Sequence, residues 1–371
     1  MSRNLVIIHF QALEKYPPAI NFIRYIAQQS GNKFNIQVLT THPGENKKTI
    51  EFGGVQVLRL AIWKIRGRIG RLLFYLLFNI KALVILLKCR PGQIVYFETL
   101  SAFAPWVYKK FINKRARIFI HYHEYTSPAE YQTGMALSRW LHKQERQLYR
   151  GAAWISHTNS DRMNFFQQDV GKDEVNNPQI MPNYPSATWH NTALGVQPNN
   201  DKRVAFVYVG ALSLNNMHTR EMTQYVAANS DKCYWHIYSD NHDDEVFAFL
   251  ESLKVNNIEF KGGVLYDELP AILPQYDIGV ILYTGNTPNY AYNAPNKFFE
   301  YIACGLNVWF GNGMKGMSYY EHLNQKPYVR CMNFEQLTPL SIASEKRIST
   351  IPNQQYTAEE VYKQLWVLIN E

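Results

Sequence analysis

The chain has 371 residues, of which 46% are hydrophobic and 18% charged, with a formal net charge of +8. That length allows two domains with separate cores, and the composition is that of a globular protein without repeats or low-complexity tracts. Four scattered cysteines, Cys89, Cys233, Cys304 and Cys331, show neither CxxC nor Cys/His ligand spacing, which argues against a zinc site and for reduced thiols in a cytosolic protein.

The N-terminal run SRNLVIIHF is too short for a signal peptide and reads as a first strand over Asn4–Phe10. A loop with Tyr16-Pro17-Pro18 leads to a helix near Ala19–Gln29, and Phe34–Thr40 is a second strand. A β segment over Val55–Leu60 precedes a strongly apolar helix, LLFYLLFNIKALVILL at 72–87. Further strands at Ile94–Phe97 and Arg117–Tyr122 each end in a polar or titratable cluster, and strands at Ala153–His157 and Gln179–Met181 follow. Strands alternating with helices at this spacing predict a parallel α/β sheet. The Asn-, Pro-, Ser- and Thr-rich stretch 186–200 reads as a linker between a first domain, 1–185, and a second, 201–356. Val204–Val209 opens the second half as a new apolar strand, and Ala358–Ile369 closes the chain as an amphipathic helix.

The charge is unevenly placed. Residues 1–120 hold 19 Lys and Arg against 4 Asp and Glu, a net of +15, whereas the remainder is net negative at −7. Much of the basic charge brackets the apolar helix: Lys64, Arg66, Arg68 and Arg71 before it, Lys88 and Arg90 after it. Its apolar run of sixteen residues includes Asn79 and Lys81, and a bilayer span needs about 20. Two roles fit such a segment, 64–90. It is either a helix packed on the first sheet or one that lies at an anionic membrane surface, each Lys or Arg contributing about 1 kcal/mol there. No helix-turn-helix, ribonucleoprotein-type or zinc-finger pattern accompanies the basic surface, so no nucleic-acid partner is expected.

Two loops carry chemistry-bearing side chains. HYHEYTSP at 121–128 follows a strand, which puts His121, His123 and Glu124 at the C-terminal edge of the sheet, where α/β ligands bind. In the second half, QYDIGVILY at 275–283 reads as a buried parallel strand. A polar loop and a helix starting near Pro295 follow, with Lys297 and Glu300 within one turn and Gly305 placed to stop it. A strand, an irregular loop and a helix N-terminus make an anion-binding corner, and Glu300 is placed to accept hydrogen bonds from a vicinal diol such as a ribose.

Residues 293–308, NAPNKFFEYIACGLNV, resemble the donor-site signature of GT-B glycosyltransferases of the family-4 type, and Lys261–Tyr283 is similar to the same family's preceding base-contacting loop, helix and strand. The resemblance implies two Rossmann-like domains facing across a cleft, with the final helix, 357–371, packing back on the first. It assigns ribose binding to Glu300, and donor contacts to Gly210, Asn293, Asn296, Lys297, Arg220 and Val264. His123 and Glu124 match a family Asp-x-His-Glu pattern in which His121 replaces the Asp, and with Lys297 they are the expected catalytic residues. Three departures stand out. Tyr292 occupies the place of a second, sugar-contacting Glu, so that contact is expected from Asn293 or the loop Thr284–Asn289. Ala211 replaces the Arg of the phosphate loop, and the Lys position falls near Asn215 or Asn216.

The implied function is transfer of a sugar from a nucleotide-diphosphate donor to a lipid-linked or membrane-associated glycan acceptor, in surface polysaccharide biosynthesis at the cytoplasmic face of the plasma membrane. Retention of configuration is implied, with no metal and no cofactor beyond the donor. The alternatives are a sugar-nucleotide epimerase of the same fold and a catalytically silent binding or scaffold protein, the latter favoured by the missing Arg/Lys pair. Glu145 reads as a structural residue that holds its helix.

Overall fold

The computed structural model describes residues 3–31, 33–45, 47–61, 67–134, 136–197, 201–239, 244–253, 255–324, 326–338 and 355–371. Lys64 and Arg66 of the basic segment, residues 198–200 of the linker stretch and residues 339–354 of the second half lie outside them. The chain divides into two compact units, Met1–Asn183 with Ala358–Glu371, and Tyr184–Thr357.

The first unit is built on strands β1 (Arg3–His9), β2 (Phe34–Thr41), β3 (Val55–Leu60), β4 (Gln93–Phe97), β5 (Arg117–Tyr122), β6 (Trp154–His157) and β7 (Pro178–Ile180). They form one sheet in the order β3-β2-β1-β4-β5-β6-β7, with every neighbouring pair parallel. A parallel sheet needs helices on both faces, and the alternation of side chains along β1 shows how the sequence meets that need. Leu5 and Ile7 pack with Ile20, Phe22 and Ile23 of the Pro17–Ser30 helix and with Tyr362, Leu365 and Ile369 of the Ala358–Asn370 helix. Val6 and Ile8 pack on the opposite face, with Phe78, Ala82 and Leu86 of the Gly67–Cys89 helix. Tyr362 Oη also donates to the Pro18 carbonyl at 3.0 Å, fixing the final helix to the first one.

The Gly67–Cys89 helix spans 23 residues, longer than its apolar run because basic residues extend both ends. Phe74, Tyr75 and Phe78 are buried, and Asn79, buried beside them, donates to the Tyr75 carbonyl at 2.9 Å. Ile69, Leu73, Leu76, Ile80 and Leu87 are exposed on its outer side, as are Arg68, Arg71, Lys81 and Lys88. It is thus a core helix with an apolar outer side.

The second unit holds β8 (Val204–Val209), β9 (Cys233–Tyr238), β10 (Ile258–Gly262), β11 (Ile278–Ile281), β12 (Asn307–Gly311) and β13 (Val329–Met332), in the parallel order β10-β9-β8-β11-β12-β13. The stretch expected to be a plain linker contains a helix, Thr188–Leu194, whose Trp189 and Ala193 belong to this unit's core. Its polar composition concealed two apolar residues at the i, i+4 spacing of one helix face.

The two sheets share a device. Strand order reverses between β1 and β4 in the first and between β8 and β11 in the second, and at such switch points loops diverge and leave a crevice at the strands' C-terminal ends. In the second sheet the packing beside the crevice depends on Gly279 of β11. A Cβ there would sit 2.2 Å from Cδ2 of Tyr301, whose hydroxyl accepts the Val209 N–H at 3.2 Å. Gly279→Ala therefore forces the Tyr301 ring off the sheet and is expected to destabilise the protein by about 1–3 kcal/mol, the usual cost of overpacking. Urea unfolding of the variant measures it.

Candidate functional site

Lys297 organises the crevice of the second unit. The Asn296–Ala303 helix starts at its N-cap Pro295, one residue beyond the expected start, and Gly305 at φ +74° turns the chain out after Cys304. Lys297 is 6% exposed and donates to Tyr208 Oη at 3.1 Å and Tyr283 Oη at 3.4 Å. Its ammonium also lies 4.5 Å from the Tyr208 ring centroid and 5.1 Å from that of Tyr283. The Tyr208 hydroxyl donates its own proton to the Ala211 carbonyl at 2.5 Å, which leaves a lone pair to face Lys297. Burial lowers the lysine's proton affinity, but the phenols of Tyr208, Tyr283 and Tyr301 outweigh it and hold its pKa above the ordinary value. Burial in turn pushes the Tyr208 phenol up to about 12, against the pull of Lys297, so it is uncharged at neutral pH. The cation is therefore solvated by phenol dipoles and ring faces.

Gly210 ends β8 at φ +116°, a conformation suited to glycine, with its N–H on the Tyr238 carbonyl at 2.9 Å. A Cβ added there would lie 3.2 Å from Lys297 Nζ, so the missing side chain is what opens the ammonium to the loop. Glu300, one turn on, is 3% exposed and accepts from Asn296 Nδ2 at 2.7 Å. Burial pushes its carboxyl up to about 7, with Asn296 and Lys297 pulling the other way. Gly210, Asn296, Lys297 and Glu300 thus lie together. Asn293 is half-buried in the turn before the helix, and Val264 packs on the core cluster that includes Phe298 and Ile302.

Arg220, expected in the donor set, is exposed, and its guanidinium stacks 4.9 Å over Phe249 of the Asp244–Ser252 helix. The phosphate-loop departures also acquire positions. Ala211 is exposed, and Asn216 donates to Tyr290 Oη at 3.2 Å while its carbonyl accepts the Thr284 N–H at 3.1 Å. Sequence reasoning missed Tyr208 and Tyr283. Both stand at or next to the C-terminal end of a strand, and that placement was their only signal.

In the first unit a cavity of about 600 Å³ opens at the ends of β1 and β4, lined by His9, Gln11, Tyr16, Glu98, Glu124 and Tyr131 among others. Glu124 is exposed and lines it, whereas the His123 ring is buried beside it, stacked on Phe97 at 5.3 Å and 2°. Burial, with His121 alongside, holds His123 well below the usual imidazole range, so it is neutral. The residue that positions this loop is Glu98: its Oε1 accepts the N–H of His123 at 2.6 Å and of Glu124 at 3.4 Å. Glu98 has φ +64°, which side-chain-bearing residues rarely adopt, and its carboxyl is pushed up to about 8 by burial and then by Glu124. The titratable ending of β4 was visible in the sequence, its role was not. Glu145, fully buried, accepts from Tyr122 Oη at 2.6 Å and Tyr96 Oη at 2.9 Å, tying its helix to β5 and β4. Among the described residues no three His, Cys, Asp or Glu side chains are grouped to hold a metal ion.

The raised pKa of Glu300 makes a signed prediction. The unfolded carboxyl releases its proton near 4.5 and the folded one near 7, so the folded state binds more protons between these values and loses stability as pH rises through that window. Buried histidines such as His9, held down near 4, act in the opposite direction, so the test is a difference. Glu300→Gln should gain stability relative to wild type between pH 4.5 and 7, read as a widening Tm gap in thermal melts.

No protein-family model matches this chain, and no curated protein matches it in sequence. Solved structures do. Sucrose-phosphate synthase from Thermosynechococcus elongatus superposes with a TM-score of 0.61 at 12% identity, covering 86% of this chain and 84% of that one. Anabaena HepE in complex with UDP gives 0.60 at 14% identity over 99% and 97%. WaaG, a glycosyltransferase involved in lipopolysaccharide biosynthesis, gives 0.57 at 12% over 99% and 90%. At such identities the likeness is one of architecture, and with the two parallel sheets it shows that this chain has the GT-B fold.

Proposed function

We propose that the protein is a glycosyltransferase that takes a sugar from a nucleotide-diphosphate donor, in the retaining, metal-independent manner of the family-4 type. One observation carries this reading: a buried ammonium, Lys297, faces a side-chain-free turn at Gly210 where β8 and β11 part, with Glu300 one helical turn away. A buried charge is costly unless an opposite charge or oriented dipoles meet it, and the hydrogen bonds of Lys297 among the described residues go to phenol oxygens, which an anion can supplement. A diphosphate on the Gly210 turn completes the pairing, and its ribose diol meets Glu300. As the bond to the sugar breaks, charge grows on the leaving diphosphate, and Lys297 with the helix N-terminus stabilises it. The single preorganised lysine takes over the work of the Arg/Lys pair, whose places fall at Ala211 and near Asn215 or Asn216.

His123 and Glu124 are assigned to the sugar-transfer chemistry, and the first unit to the acceptor. A lipid-linked or membrane-associated glycan acceptor, in surface polysaccharide biosynthesis, is supported by the Gly67–Cys89 helix. Its outer side carries exposed Ile69, Leu73, Leu76 and Ile80 beside Arg68, Arg71, Lys81 and Lys88, the composition of a helix that lies on an anionic bilayer. The same helix supports the reading of a cytoplasmic protein held peripherally at the inner face of the plasma membrane.

Three measurements test the proposal. Glu300→Ala should weaken UDP or GDP binding by roughly 1.5–3 kcal/mol, the range for hydrogen bonds to charged groups, with the fold retained; unchanged calorimetric binding removes the ribose assignment. Lys297→Ala should lower kcat more than it lowers donor affinity, because its charge is used most in the transition state. An isomerised donor in place of transfer, or binding without turnover, would instead identify an epimerase or a silent binding protein. Wild-type protein should sediment with phosphatidylglycerol liposomes at low salt and less so as salt rises, and reversing Arg68, Arg71 and Lys81 to Glu should abolish this without affecting UDP binding. Indifference to such liposomes removes the support for a membrane acceptor.

A further inference from the structure

The cavity of the first unit has a chemical character that the fold does not require. Its carboxyl groups include Glu98, Glu124, Glu130 and Asp169, against one cation, Arg146, whose guanidinium donates to the Val170 carbonyl at 3.0 Å. His9, His142 and His157 line it as well, and burial holds all three below the usual imidazole range, near 4, 4 and 3, so they add no positive charge. This is the reverse of the surrounding unit, where basic residues dominate.

Its buried hydrogen-bonding groups are incompletely used. His9 is fully buried with Nδ1 on the Gln11 carbonyl at 2.6 Å, and its Nε2 has no partner among the described residues. His157 is 2% exposed, its ring stacked on Tyr122 at 5.0 Å, and neither of its nitrogens has a partner among the described residues. A neutral imidazole offers one donor and one acceptor, the same pair that a hydroxyl group matches. The Glu98 carboxyl, near 8, is mostly protonated at neutral pH and offers the same pair. Rings of Tyr16, Phe97 and Tyr131 supply apolar surface between these polar points, and the volume of about 600 Å³ is that of a small-ligand site.

We infer that this cavity binds an uncharged sugar and rejects sugars that carry a phosphate or carboxylate. An anion there would meet carboxyl groups and neutral histidines, with one guanidinium already donating to a carbonyl. A sugar presents hydroxyls to His9, His157 and Glu98, and C–H faces to the rings. The inference rests on the glycosyltransferase reading and deepens it: the acceptor ends in a neutral sugar, and any anionic group it has lies outside the cavity. The positive φ of Glu98 is part of the device, since one carboxyl both holds the His123–Glu124 loop through backbone N–H groups and faces the cavity.

Saturation-transfer NMR on the full chain tests this without a donor. The probes are the methyl glycosides of glucose, galactose, mannose and N-acetylglucosamine, with glucose 6-phosphate and glucuronate as charged counterparts. At least one neutral glycoside should receive saturation and bind tenfold or more tightly than either charged sugar, a difference of at least 1.4 kcal/mol. Ser138→Trp, which fills the cavity from the Ala136–Tyr149 helix, should abolish the signal. His157→Phe keeps the ring stack but removes both nitrogens, so it should weaken the signal severalfold while raising Tm, a combination that a structural histidine would not give. Equal or tighter binding of the charged sugars, no neutral binding at all, or a signal that survives both variants overturns the inference. UDP and GDP binding is measured on the same sample. If nucleotide binding fails while neutral-sugar binding behaves as described, the donor assignment falls and the cavity assignment stands.

Discussion

The second unit is arranged around the cost of burying one positive charge. An ammonium withdrawn from water needs replacement solvation, and Lys297 obtains it from residues on three separate segments: Tyr208 on β8, Tyr283 after β11 and the aromatic Tyr301 on its own helix. Each of these depends on another constraint. Tyr208 keeps its lone pair towards the lysine because its proton is committed to Ala211, and Tyr301 keeps its place because Gly279 has no side chain. Each donor and ring is thus fixed by a contact within the protein, which is what a site that must act on developing charge requires.

The fold was largely legible in the sequence because buried parallel strands are short apolar runs, and helices between them show their own periodicity. Val55–Leu60, Arg117–Tyr122 and Val204–Val209 lie where the pattern put them, and the GT-B architecture follows the resemblance carried by residues 293–308. Lys297, Glu300, Asn296 and Gly210 were legible because three sit on one turn of helix and the fourth ends a strand. Less legible was everything assembled by the switch points. His9 and Glu98 are brought together by β1–β4 pairing across almost ninety residues, and Tyr208 meets Tyr283 through β8–β11. No local pattern records such meetings. The stacking of the Arg220 guanidinium over Phe249, on another helix, was not legible either.

The two crevices solve opposite electrostatic problems with the same topology. In the second unit a cation hydrogen-bonded to phenols stands at the switch point. In the first, burial holds the Glu98 carboxyl and the His9 and His157 imidazoles neutral, so the buried part of the site is polar without positive charge. One arrangement suits a ligand defined by charge and the other a ligand defined by hydroxyl groups.

The final helix has a consequence for how the protein is made. Ala358–Asn370 belongs to the first unit, with Tyr362, Leu365 and Ile369 in its core, so the second unit is inserted within the first in chain order. During synthesis the first unit emerges early, yet one layer of its core is absent until Ala358–Asn370 appears. At roughly 5–20 residues per second, that interval is on the order of 10–40 s. Throughout it, the apolar side of the Pro17–Ser30 helix that later receives Tyr362 is uncovered, while Tyr184–Thr357 emerges as a complete unit. The nascent chain therefore exposes its own future docking surface for that interval.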